Sequence, residues 1–97
     1  MSIIWAYLYE HPGTDPEADR TELDREGQRS ILVPVPDQAS APAVAATLAA
    51  RGAGLIELCG GFSLEAAARV RANVPDHVAV GHVVFSAESL RSAADFG

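Results

Sequence analysis

The chain has no lysine, a single cysteine and few aromatic residues. All seven basic side chains are arginines, which excludes both a lysine Schiff base and a P-loop lysine. One cysteine cannot form an internal disulfide, and its isolation fits a reducing, cytoplasmic setting. No apolar run approaches the ~20 residues that a membrane-spanning helix needs. No basic stripe is present and the net charge is −6, which argues against nucleic acid and anionic membrane surfaces as partners. The dinucleotide fingerprint G-x-G-x-x-G is also missing. Met1-Ser2-Ile3-Ile4 carries neither a charged n-region nor a cleavage site, so no signal peptide is expected.

What is present is apolar and rich in alanine. Hydrophobic residues are 48% of the 97, enough for one domain spanning 1–97. Alanine fills little volume, so a core built this way gains from a partner subunit.

Ile3 to Tyr9 reads as a strand apolar on both sides, with Ile3, Trp5, Tyr7 and Tyr9 on one face and Ile4, Ala6 and Leu8 on the other. Residues 10–29 hold seven of the thirteen acids, with Pro12, Gly13 and Pro16 among them. They read as a solvated acidic loop or as a short helix over 17–25 that starts at Asp15-Pro16 and stops near Gly27. Ser30–Pro36 is a second strand, placed at an edge because Pro34 and Pro36 lack N–H groups. A helix from Ser40 to about Arg51 ends at Gly52. Leu55–Cys59 is a third strand, followed by a helix from Phe62 or Ser63 to about Asn73. Val78–Phe85 is a fourth strand, and a last short helix covers Ala87–Ala94.

The order β-β-α-β-α-β-α predicts an α/β fold with a mainly parallel four-stranded sheet. Right-handed crossovers advancing in one direction place the helices mostly on one face. The other face is apolar as well, so a second copy of the chain is expected to cover it. The expected assembly is a dimer or a multiple of one.

Ligands of parallel sheets bind beyond the carboxyl ends of the strands. Cys59-Gly60-Gly61-Phe62-Ser63 stands at such an end, where a helix start offers free N–H groups and suits an anionic group. The same field favours a thiolate at Cys59, as nucleophile or anion-site residue, although a small buried hydrophobe beside a turn reads the same way. Glu57 is a carboxylate inside an apolar strand. It needs a proton or a partner, and it serves either as a general acid/base or as an ion-pair or interface residue. His82 lies in the fourth strand. If it faces Glu57, the two form a Cys–His–Glu set with Cys59; otherwise it is an interior histidine. His11 lines the same rim or an exposed loop, and His77 is a turn residue. Cys59, His82, His11 and Glu57 include metal donors but no paired ligand motif, so neither a metal nor a cofactor is expected. Trp5, Tyr7 and Tyr9 could floor a pocket or an interface.

The run Gly54-Leu55-Ile56-Glu57-Leu58-Cys59-Gly60-Gly61-Phe62 resembles a family of small bacterial proteins classed as a domain of unknown function, with an I-E-L-C-G-G-F core. Asp15-Pro16-Glu17-Ala18-Asp19-Arg20 is similar to its D-P-x-x-x-R turn. Val74-Pro75-Asp76-His77-Val78-Ala79-Val80-Gly81 is similar to its run before the last strand. The Val-Pro-Val-Pro of strand two departs from the pattern. The resemblance implies a compact α/β fold and transfers no activity.

Two functions follow. One is a site for a small anionic molecule around Glu57-Cys59-Gly60-Gly61, with Glu57 and His82 transferring protons and Phe62, Ser63, Tyr7 and Tyr9 lining it. The other is a non-catalytic oligomeric binding or scaffold protein, with Glu57 and the Trp5/Tyr7/Tyr9 stripe in a subunit interface.

Overall fold

Residues 3–97 are described by a computed structural model. Met1 and Ser2, which open the segment read as lacking a signal peptide, lie outside the described residues. Five strands form one sheet in the order β2-β3-β1-β4-β5: β1 Ile3–Glu10, β2 Thr21–Arg25, β3 Gln28–Val35, β4 Leu55–Leu58 and β5 Ala79–His82. β1, β3, β4 and β5 run parallel, and β2 is antiparallel to β3. Three helices complete the domain: α1 Ala41–Ala50, α2 Leu64–Ala72 and α3 Leu90–Asp95.

The sheet therefore has five strands where four were expected, and the helix considered for 17–25 is not formed. Thr21–Arg25 is instead a strand with all five residues exposed. It joins β3 through the two-residue turn Glu26-Gly27, both residues at positive φ (56° and 78°). That left-handed pair matches the twist of a tight hairpin. An acidic loop over 11–20 does precede it. The edge expected at the prolines is partly there: β2 pairs with β3 only from Gln28 to Leu32, so Pro34 lies past the end of β2. β5 stops at His82 rather than Phe85. Its one neighbour β4 ends at Leu58, and the chain beyond has no further strand to pair with.

Caps set the helix ends. The Ser63 hydroxyl accepts the Ala66 N–H at 3.1 Å at the start of α2. Gly52, at φ 106°, follows α1, where a side chain would be strained. At the other end of α2, Arg71 donates to the carbonyls of Val78 (2.5 Å) and Pro75 (2.6 Å), pinning the loop that leads into β5.

The connections β3-α1-β4 and β4-α2-β5 advance across the sheet in the same direction, so both helices fall on one face. They pack on each other and over Ala6, Leu8, Val33, Val35, Ile56 and Leu58, all fully buried. The connection from β1 to β3 carries a loop and an edge strand instead of a helix. No helix of that connection covers the second face, although Pro34 on that face is fully buried. There Trp5, Tyr7 and Tyr9 are half-buried, and Leu32 (41%) and Leu55 (38%) remain exposed.

Candidate functional site

From β1 the chain passes to β3 on one side, and α1 then carries it back past β1 to β4. The carboxyl ends of β1 and β4 therefore flank the switch point at which α/β sheets commonly bind ligands. Tyr9 and Glu10 stand on one side, Cys59, Gly60 and Gly61 on the other. The Cys59 N–H donates to the Leu8 carbonyl at 2.9 Å, and the Phe62 N–H closes the turn onto the Cys59 carbonyl at 3.1 Å.

Gln38 fills this turn. It belongs to a 3-10 turn over Gln38–Ser40 that is capped by Asp37. Its side-chain oxygen accepts the Ser63 N–H at 3.0 Å. Its amide donates to the Gly61 carbonyl at 3.1 Å and to Glu10 Oε1 at 3.4 Å. One of the N–H groups expected to meet an anion, that of Ser63, is thus engaged, and Glu10 and Glu65, in the first turn of α2, add negative charge. Gln38 was not singled out from the sequence. The available signal was the Asp37-to-Ser40 capping pattern directly after the second strand.

Phe62, expected to touch a ligand, is 3% exposed and belongs to the core. Ser63 is occupied as the helix cap. Gly60 allows the Phe85 ring to lie close: a Cβ there would meet Phe85 Cε2 at 2.9 Å. Gly61 faces open space.

A second cluster lies on the uncovered face. Tyr7 pairs in register with Glu57, and Glu57 with Gly81. Period-two alternation puts Cys59 on that same face, one step further along β4. Burial raises the Tyr7 pKa above 10.0, and the neighbouring Cys59 and Glu57 raise it further. Register and alternation place the three side chains side by side on this face. Glu57 lies over β5 where Gly81 has no side chain; a Cβ there would come to 3.6 Å from Glu57 Cγ. Among the described residues Glu57 has no ion pair.

His82 is not part of this group. It pairs with Leu58, so it projects to the helix-covered face while Glu57 projects to the other. The sheet separates them, and the Cys–His–Glu set considered from the sequence is not assembled. His82 Nε2 is buried with no hydrogen-bond partner among the described residues. His11 is exposed, with Nδ1 3.0 Å from the Pro12 carbonyl, and His77 is exposed in the turn before β5. Among the described residues no group of three or more His, Cys, Asp or Glu is placed to hold a metal ion. No helix among them is long and apolar enough to cross a membrane.

These features define a small single-domain α/β protein with a mostly parallel sheet covered by helices on one side. The chain belongs to a family of unknown function, DUF6506, whose model matches residues 3–97. No curated protein and no solved structure matches it.

Proposed function

We propose that this protein acts as a homodimer whose uncovered sheet face is the subunit interface, with Tyr7, Glu57 and Cys59 forming the polar centre of a binding site between the two copies. The observation that carries this reading is the apolar face itself: Trp5, Tyr7, Tyr9, Leu32 and Leu55 on three adjacent strands, with no helix over them. Strands of parallel sheets are normally covered on both faces.

Sedimentation of the full chain at micromolar concentration tests the assembly. A dimer is expected, with Leu32→Asp converting it to a folded monomer. A clean monomer of the unaltered chain overturns the reading.

The ligand chemistry follows from the same face. An anion at Gly60-Gly61 has little support with Gln38 in the turn and Glu10 and Glu65 beside it. Glu57, an unpaired carboxylate beside aromatic side chains on a chain of net charge −6, favours a flat apolar molecule bearing a cationic or hydrogen-bond-donating group. Catalysis by Cys59 has weaker support, because His82 lies across the sheet. Thermal-shift measurements with aromatic amines and size-matched aromatic carboxylates separate the two chemistries. Stabilisation by amines, lost in Glu57→Gln, is the expected result; stabilisation by carboxylates alone overturns it.

A further inference from the structure

Trp5 and Leu55 pair in register where β1 and β4 begin to run together, and Glu57 follows Leu55 on the same face. Beside them lies an open hollow of ≈ 480 Å³. Ile3, Trp5, Leu55 and Glu57 bound it on the sheet, and Gly52 and Gly54 bound it in the turn before β4. That volume is in the range of sites for small organic molecules. The hollow is at the amino edge of the sheet, the end opposite Cys59 and Gly60-Gly61.

Its walls combine two chemistries. Trp5, the only tryptophan of the chain, is half-buried between the exposed side chains of Ile3 and Leu55. Glu57 is half-buried and has no ion pair among the described residues. An indole face is the best aromatic partner for a cation, and a carboxylate adds a charge-assisted hydrogen bond. The other charged side chain on this face is Arg25, which register places on edge strand β2 beside Gln28 and Ile3. Two strands, β3 and β1, lie between it and Glu57. The turn wall is bare. Gly52 is held to glycine by its φ of 106°. Gly54 is not: its φ is not positive, and a Cβ there would meet nothing within 4 Å. Neither backbone nor packing requires a glycine at 54, and a larger side chain there has only the hollow or solvent to enter.

We propose that this hollow is the seat of the ligand, and that the ligand is a protonated primary amine on a compact apolar body. The ammonium group lies between Glu57 and the Trp5 indole and donates to the carboxylate. The body lies along Ile3 and Leu55. The hollow reaches the amino edge of the sheet, so a small molecule enters it with the two copies associated. This assignment rests on the ligand chemistry proposed above, and it puts the ligand at the Trp5 end of the face rather than at the Cys59 end.

Trp5 reports on its own site, because the chain has no other tryptophan. The full chain is titrated with benzylamine, protonated at neutral pH, and with benzyl alcohol as its uncharged match. Trp5 emission and the melting temperature are followed together. Benzylamine is expected to change the emission saturably and to raise the melting temperature. Its dissociation constant should be at least about tenfold below that of benzyl alcohol, and should rise at least about tenfold in Glu57→Gln and in Gly54→Leu. Gly54→Leu fills the hollow. Glu57→Gln keeps the shape of the side chain and carries the test alone if Gly54→Leu loses its circular dichroism. A raised melting temperature with unchanged emission, undiminished binding to folded Gly54→Leu, or equal binding of benzyl alcohol overturns this seat and its ammonium, and leaves a donor-bearing ligand elsewhere on the face standing. No binding of benzylamine by either readout overturns both.

Discussion

The side chain of Gln38 spans the start of α2, accepting the Ser63 N–H at 3.0 Å and donating to the Gly61 carbonyl at 3.1 Å. It thereby ties the end of β3 to the turn after β4, two segments that the sheet order alone does not join. Removing it leaves a helix N–H and a carbonyl to find water in an exposed turn. Gln38→Ala is expected to cost about 0.5–1 kcal/mol, read as a fall in the urea midpoint with an unchanged m-value. Gln38→Glu keeps an acceptor for Ser63 but loses the donor to Gly61 and sets a second carboxylate beside Glu10. It should be less stable than the unaltered chain at neutral pH and recover as the pH falls through the carboxylate range. Equal stability of all three chains would show that water replaces this bridge without loss.

The two glycines of the turn make opposite predictions. A Cβ at Gly60 would stand 2.9 Å from Phe85 Cε2 and 3.3 Å from the Val83 carbonyl, whereas one at Gly61 meets nothing within 4 Å. Neither glycine is at positive φ, so steric contact decides. Phe85 is half-exposed and its ring can move, which limits the cost. Gly60→Ala is expected to destabilise by about 1–2 kcal/mol and to shift the NMR signals of Phe85 and the segment after it. Gly61→Ala should stay within about 0.5 kcal/mol of the unaltered chain. The reverse ranking would place the tight contact elsewhere in the turn.

Arg71 makes three side-chain hydrogen bonds to backbone carbonyls. Its guanidinium donates to the carbonyls of Val78, Pro75 and, at 3.4 Å, Val74, closing the loop between α2 and β5. A planar fork with several donors fits three converging carbonyls, and a lysine ammonium does not. Arg71→Ala is expected to cost about 2–4 kcal/mol, and Arg71→Lys to recover less than half of that. Chemical denaturation of both variants checks the order. Full rescue by lysine would mean that charge near the helix end, rather than the fork, holds the loop.

The parts of this fold legible in the sequence were those with an apolar signature. β1, β3, β4 and the helices α1 and α2 each bury residues at the period of their own geometry, and Ser63 and Gly52 mark helix ends by chemistry that needs no tertiary context. β2 left no such trace because all five of its residues are exposed. The site was legible one strand at a time. Alternation within β4 put Glu57 and Cys59 on one face, and β1 put Tyr7 and Tyr9 together. The pairing of β4 with β5 was not legible, because a register one residue different moves His82 to the face of Glu57. In the fold Glu57 meets Gly81, and His82 meets Leu58. Gln38 was hidden for a related reason: its partners lie more than twenty residues along the chain.

The Tyr7 hydroxyl offers a spectroscopic handle on the uncovered face. Its folded pKa is raised above 10.0, by burial first and then by Cys59 and Glu57. A raised folded pKa means that its contribution to stability is fully present below the unfolded value of about 10. That contribution is lost as the pH rises through the folded value. In a Tyr9→Phe background, absorbance at the phenolate band should therefore report ionisation of Tyr7 above pH 10, and Cys59→Ala should bring it down towards the ordinary range. An unaltered midpoint in Cys59→Ala would mean that the thiol does not interact with the hydroxyl.

His82 sets the last test, on the covered face. Its Nε2 is buried without a partner among the described residues, beside Leu58 in the neighbouring strand. A polar atom in that condition carries its desolvation cost with no hydrogen bond to offset it. Had His82 been paired with Glu57, removing it would orphan a carboxylate and destabilise the domain. On the opposite face it has no such partner to orphan. His82→Leu, which keeps an apolar side chain of similar bulk, is expected to be neutral or to stabilise by up to about 1 kcal/mol, and to leave the Tyr7 titration unchanged. A loss of several kcal/mol, or a moved Tyr7 midpoint, would show that the imidazole is coupled to the Tyr7-Glu57-Cys59 group through the sheet.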